Sequence, residues 1–177
     1  MNNLAPELQQ RLQKIRLFLC DVDGILTDSS VFMNGSVETK RFHIPDGLGL
    51  RLLQREGVKV GWVSARPSPA TTQRAHDLKI DFLHQSDTLK VHAVEKILAD
   101  TKLTWDEIVY MGDDIVDLGV LKRAGFSATV PHAIPECQQV SHYVTEAPGG
   151  DGAVREVVEL LLKAQGKWDA LVRHFSQ

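Results

Sequence analysis

Phe18-Leu19-Cys20-Asp21-Val22-Asp23-Gly24-Ile25-Leu26-Thr27-Asp28 is the stretch that decides the fold of this chain. An apolar run that reads as a buried strand ends abruptly in two alternating carboxylates and a glycine. In a parallel α/β sheet, ligands gather outside the carboxyl ends of the strands, so acids packed there sit at the working edge. A strand that opens into a Gly turn after Asp21 can aim Asp21 and Asp23 into one cleft. Two anions that close repel each other and favour a cation between them.

Working outward, apolar runs at 17–21, 58–63, 81–83, 108–111, 126–130 and 142–144 read as strands, and a short amphipathic helix precedes the first of them. Most intervening segments carry apolar positions at helical spacing. Ser68-Pro69 predicts an N-cap with a first-turn proline, and Thr104-Trp105-Asp106-Glu107 a capping box. Repeated βαβ units imply a three-layer α/β domain with a mostly parallel, doubly wound sheet. One segment breaks the rhythm: residues 30–33, Asn34-Gly35 and 36–42 read as a β-hairpin closed at Asn-Gly, placed just after the acidic stretch. Near the other end, Ala147-Pro148-Gly149-Gly150-Asp151-Gly152-Ala153 is a glycine-rich turn feeding a helix over 154–164, and a tail with Trp168, Leu171, Val172 and Phe175 follows Gly166.

The 177 residues suit one domain with a well-buried core. A net charge of −3 argues against general nucleic-acid binding. Cys20 and Cys137 are too few and too far apart for a disulfide framework or a zinc motif, and reduced buried thiols are expected. His76, His84, His92, His132, His142 and His174 show no metal-ligand spacing. No apolar run reaches membrane-span length, and Met1-Asn2-Asn3-Leu4-Ala5-Pro6-Glu7 lacks the basic-then-apolar order of a leader, so a cytoplasmic location is expected.

A second acidic group, Gly112-Asp113-Asp114-Ile115-Val116-Asp117, again follows an expected strand and runs into a helix. Acids in a first helical turn are common for stability alone. Three of them after a glycine at a strand end, matched to an earlier Asp-x-Asp, are much harder to explain that way. Between the two groups lie Val63-Ser64-Ala65-Arg66-Pro67 at another strand end and Lys90 near the start of a helix over 88–99. Ser64 can donate to a phosphoryl oxygen, Lys90 can offset charge, and a divalent ion can bridge phosphate and carboxylates.

With these motifs in order, the chain resembles the haloacid dehalogenase-like phosphohydrolases over nearly its whole length. Leu26-Thr27-Asp28, the Asn34-Gly35 hairpin, Phe42-His43-Ile44-Pro45-Asp46-Gly47-Leu48-Gly49 and the Ala147–Glu156 run point to its capless branch for 2-keto-3-deoxy sugar acid phosphates. The resemblance implies strand order 3-2-1-4-5 and Mg²⁺ held by the Asp21 carboxylate, the Asp23 backbone carbonyl and Asp113, with Asp114 or Asp117 in support. It further implies that Asp21 is the nucleophile, Asp23 the general acid and then base, and that Ser64 and Lys90 offset phosphoryl charge. Asp23, His43, Ile44, Pro45, Asp46, Gly47, Arg51, Arg66, Arg74 and Lys90 are the implied substrate contacts, arginines suiting a sugar acid's carboxylate. The implied activity is hydrolysis of 3-deoxy-D-manno-octulosonate 8-phosphate in lipopolysaccharide sugar synthesis, with a nine-carbon 9-phosphate as the alternative. Two departures stand out: Ala65 replaces a usual glycine, and Asp151 is acidic where an anionic substrate would favour a basic or neutral residue.

Only the hairpin and one helix separate Asp28 from Ser64, and only a helix and a short strand separate Ser64 from Lys90, so no cap domain fits. An open cleft needs walls from elsewhere, and the expectation is a homotetramer assembled through the hairpins (about 29–43), with the tail (about 166–177) free to close a neighbour's cleft. A receiver-type signalling module also forms an aspartyl-phosphate, but it lacks a second carboxylate two residues beyond the acceptor. A catalytically idle oligomerisation domain would be expected to have lost motif acids, and all are present.

Overall fold

The structure, a computed structural model, describes residues 5–177; the opening residues, including most of the stretch read as lacking a leader, lie outside it. At its centre β1 (Leu17–Cys20) is flanked by β4 (Lys59–Ser64) and β6 (Ile108–Met111), and the six-stranded sheet continues outward to β5 (Phe82–Gln85) on one side and to β7 (Phe126–Thr129) and β8 (Tyr143–Val144) on the other. Every pairing in this sheet is parallel. Without the hairpin strands the order is 3-2-1-4-5, as the resemblance implies, with a sixth strand added at the edge. All four β1 residues are completely buried, as an unbroken apolar run requires of a strand covered on both faces. Each such side chain contributes about 1.5–3 kcal/mol by leaving water.

Helices α2 (Ile44–Arg55) and α7 (Ala153–Ala164) pack together with α1 (Pro6–Gln13), while α4 (Lys90–Thr101), α5 (Leu118–Leu121) and α6 (Pro135–Val140) form a second group. Helix α3 (Pro69–Asp77) starts as its sequence predicts, with the Ser68 hydroxyl accepting from the Thr71 amide at 3.2 Å. The Thr104–Glu107 capping box forms but heads only a 3₁₀ turn that runs straight into β6. The tail folds as α8 (Trp168–Phe175) against α7, with Leu171 buried and the Trp168 ring beneath Arg155 and Lys163, while Val172 and Phe175 stay exposed. Among the described residues no helix is long and apolar enough to cross a membrane.

The hairpin is shorter than expected and its turn is displaced by one residue. Strands β2 (Phe32–Asn34) and β3 (Val37–Thr39) pair Asn34 with Val37, so the loop is Gly35-Ser36 and Asn34 belongs to the ladder. Gly35 takes the first loop position at φ +60°, a conformation open to glycine without a Cβ penalty. The hairpin forms a sheet of its own and exposes Phe32, Met33 and Val37.

Candidate active site

The β1–β6 pairing brings the two acidic groups together. Cys20 lies beside Met111, and the Asp21 amide donates to the Met111 carbonyl at 2.9 Å, so Asp21 leaves the sheet next to the Gly112–Asp117 turn. On the other side of β1, β4 carries Ser64 to the same edge. Gly24 is needed for the close approach: it sits at φ +94°, and a Cβ there would stand 2.0 Å from Asp113 Oδ2.

Lys90, almost completely buried at the start of α4, reaches Asp21 Oδ1 at 2.9 Å and Asp117 Oδ1 at 2.7 Å. Asp117, itself fully enclosed, also accepts from the Tyr110 hydroxyl at 2.5 Å and from the amides of Asp113 and Asp114 at 3.1 and 3.2 Å. Its lone pairs are thereby occupied, and it anchors Lys90. Asp114 turns its side chain to the Ile115 amide at 2.7 Å. Burial, then the Asp117 charge, push the Asp21 pKa up to about 7 against the pull of Lys90. Burial first, then the charges of Asp21 and Asp117, push Asp113 up to about 7 as well. For Lys90, burial works to lower the pKa, but Asp117 and Asp21 together outweigh it and the net shift is upward.

Carboxylate oxygens of Asp21, Asp113 and Asp117 all lie within 4.8 Å of one another. Asp113 Oδ1 is buried and has no hydrogen-bond partner. Since Asp117 is already committed to Lys90 and Tyr110, Asp21 and Asp113 are the pair with oxygen to offer. A hard divalent ion with oxygen preference fits this donor set, and it would answer both the orphaned oxygen and the upward-shifted carboxyls.

Asp23 faces another way. Lys40 Nζ lies 2.7 Å from its Oδ1 and 3.0 Å from its Oδ2, and Arg66 Nε donates to Oδ2 at 3.2 Å. Glu38 takes Arg66 Nη1 at 2.6 Å and also the Ser68 hydroxyl in a short contact. The Ser64 hydroxyl, buried at the end of β4, donates to the Arg66 carbonyl at 3.1 Å. Tyr110, Glu38 and Lys40 were missed in the sequence. For the last two a signal exists: residues two apart on a strand share a face, and Val37-Glu38-Thr39-Lys40 alternates in that way.

The expected substrate contacts divide. His43 Nδ1 meets Asp46 Oδ2 at 3.1 Å and its Nε2 lies 3.6 Å from Asp151 Oδ1. Asp46 is buried and accepts from the Gly152 and Arg155 amides at 3.2 and 2.7 Å, tying the start of α2 to the start of α7. Arg74 lies against Gly47, whose Cβ would stand 2.7 Å from its Nη2. Ile44, next to Pro45 in the first turn of α2, is exposed, as is Arg51, which donates to Gln54 at 2.7 Å and to the Leu78 carbonyl at 3.1 Å.

Residues 82–157 match the family model of the haloacid dehalogenase-like hydrolases. The chain is 38% identical over 165 residues to the 3-deoxy-D-manno-octulosonate 8-phosphate phosphatase KdsC of Yersinia pestis, covering 93% of this chain and 88% of that protein. It superposes with a TM-score of 0.93 and 38% identity on the crystal structure of the corresponding phosphatase from Moraxella catarrhalis in complex with magnesium ion, phosphate ion and KDO, covering 96% and 98% of the two chains. A cobalt-bound form of the Haemophilus influenzae phosphatase matches with a TM-score of 0.86 at 34% identity, covering 89% and 93%.

Proposed function

The chain belongs to the haloacid dehalogenase-like hydrolases, in the group of the 3-deoxy-D-manno-octulosonate 8-phosphate phosphatases, and on that footing we propose a two-step hydrolysis of that sugar phosphate in the cytoplasm, serving lipopolysaccharide sugar synthesis. The observation that carries the proposal is the Lys90 bridge, which holds Asp21 at the strand edge within reach of Asp113.

In the first step an Asp21 carboxylate oxygen attacks phosphorus in line with the sugar oxygen. The new bond joins Asp21 to phosphorus, the bond to the sugar oxygen breaks, and Asp23 gives that oxygen its proton. In the second step Asp23 takes a proton from water, the water oxygen attacks phosphorus, and Asp21 is released with free phosphate. Lys90 and Ser64 face the phosphoryl oxygens throughout. Asp21, Asp113 and the Asp23 carbonyl would hold Mg²⁺, which supplies charge neutralisation to the phosphoryl oxygens when bound. His43, Asp46, Gly47, Arg66 and Arg74 line the sugar side. A carboxylate at position 23 favours turnover over the stored phosphoryl group of a signalling receiver.

Phe32, Met33 and Val37 support the homotetramer reading, since an isolated hairpin with apolar side chains in water gains by pairing with copies of itself.

The test is Mg²⁺-dependent phosphate release from a panel headed by 3-deoxy-D-manno-octulosonate 8-phosphate and its nine-carbon 9-phosphate analogue. Strong preference for the first supports the assignment. Preference for the second keeps the chemistry and changes the substrate, and no release from any ester leaves the idle oligomerisation domain.

A further inference from the structure

We propose that Lys40, delivered from the end of β3, is the positioning residue that aims Asp23 at the leaving-group side of the phosphoryl group; this rests on the acid–base role given to Asp23 above. The Lys40 side chain is completely enclosed, although it is carried by a hairpin whose own strands are largely exposed. A buried ammonium persists only when its partners repay the loss of water. Its partners are both oxygens of Asp23, at 2.7 and 3.0 Å, and the Thr71 hydroxyl at 3.2 Å, with Glu38 at 3.9 Å.

Asp23 is only two residues from Asp21, yet its carboxylate does not join the Asp21–Asp113–Asp117 group. Lys40 holds it from the hairpin side, donating to Oδ2 and ion-paired with Oδ1. The remaining cation on Asp23, Arg66, has a side chain 42% exposed and shares itself with Glu38, so it is the looser of the two restraints. Thr71 lies in the first turn of α3, and Ser68, its N-cap, is held by Glu38. The hairpin base and the start of α3 thus form one frame around Asp23. Without the Lys40 contact, the Asp23 carboxylate is free to turn toward the oxygen cluster and any cation there, and away from the departing sugar oxygen.

The test is a double-mutant cycle of Lys40→Met and Asp23→Asn in the full chain, read on 3-deoxy-D-manno-octulosonate 8-phosphate and on p-nitrophenyl phosphate. Lys40→Met is expected to lower kcat for the sugar phosphate about a hundredfold with little change in KM, a general acid's share of the barrier. Nitrophenolate needs no proton to leave, so its first-turnover burst is expected to survive. In the Asp23→Asn background the Lys40 substitution is expected to cost nothing more, and Lys40→Arg to recover part of the loss. Should Lys40→Met fail to fold, the cycle is run with Lys40→Arg, which keeps the charge but moves the donors. Losses that multiply in the double variant, a first-turnover burst lost equally on both substrates, or wild-type kcat in the single variant overturn the proposal. Full activity of Asp23→Asn alone instead overturns the acid–base reading on which it stands.

Discussion

At the ends of β1 and β6 charges are enclosed and answered, with Lys90 between Asp21 and Asp117 and Tyr110 closing the far side. The hairpin just downstream is built the other way, with Phe32, Met33 and Val37 in water and Glu38 and Lys40 turned inward. Burial makes the first region hold charge in one geometry. Exposure leaves the second free to meet another surface while its inner face still reaches Asp23. The same short chain segment therefore serves two masters, and the two regions are separable by substitution.

Removal of the proposed nucleophile breaks the first region most completely. Asp21→Asn is expected to cost at least about a thousandfold in kcat. Its melting temperature should not fall below that of the parent, because Lys90 keeps Asp117 and the amide carries no charge for burial to penalise; steady-state phosphate release and a thermal melt check both points. Asp117→Asn comes next, since it leaves a buried ammonium with one charged partner fewer. A stability loss of about 3–5 kcal/mol by denaturant titration is expected. The same change removes a charge that holds the Asp21 pKa up.

That first region was legible in the sequence because its chemistry is local. An apolar run that stops at Asp-x-Asp-Gly, and a second that stops at Gly-Asp-Asp, place acids at strand ends whatever the rest of the chain does. Lys90 was legible as a charge near a helix start. Its depth was not, for only the fold shows that Asp21 and Asp117 converge on it. In the hairpin, Asn34-Gly35 located the turn but missed its frame by one residue, because glycine at the first loop position and glycine at the second leave the same local pattern. Glu38 and Lys40 went unnoticed because a strand alternates faces and nothing local says which face has a partner. The bonds that Asp46 accepts from the Gly152 and Arg155 amides, which tie the start of α2 to the start of α7, span too much sequence for any spacing to reveal.

The enclosed region also responds to pH. With chelator present, Asp21 and Asp113 titrate near 7 in the folded chain but near the ordinary carboxylate value of 3.8 when unfolded. The folded state then binds more protons across that interval, so stability falls as pH rises from about 4 to 7. His142, whose pKa burial lowers, works in the opposite sense as pH rises through its range, while Asp46, which burial raises, works with Asp21 and Asp113. The expected result is a lower melting temperature at about pH 7.5 than at about pH 5.5 in EDTA, and a difference reduced by Mg²⁺, which favours the ionised pair.

The hairpin's outer face gives the smallest effect on the chain itself. Phe32→Ser with Val37→Thr is expected to change protomer stability by no more than about 0.5 kcal/mol per site. In light scattering the same pair should lower the mass if the proposed homotetramer forms through this face, and an unaltered mass would contradict that interface.

The account turns on a covalent bond at Asp21. Rapid quenching of the enzyme during turnover of 3-deoxy-D-manno-octulosonate 8-phosphate, followed by borohydride reduction and peptide mass spectrometry, reads that bond directly. The account predicts homoserine at position 21 in the wild-type protein, dependent on both Mg²⁺ and substrate. Full turnover with Asp21 unmodified, or reduction at another carboxylate, would contradict it.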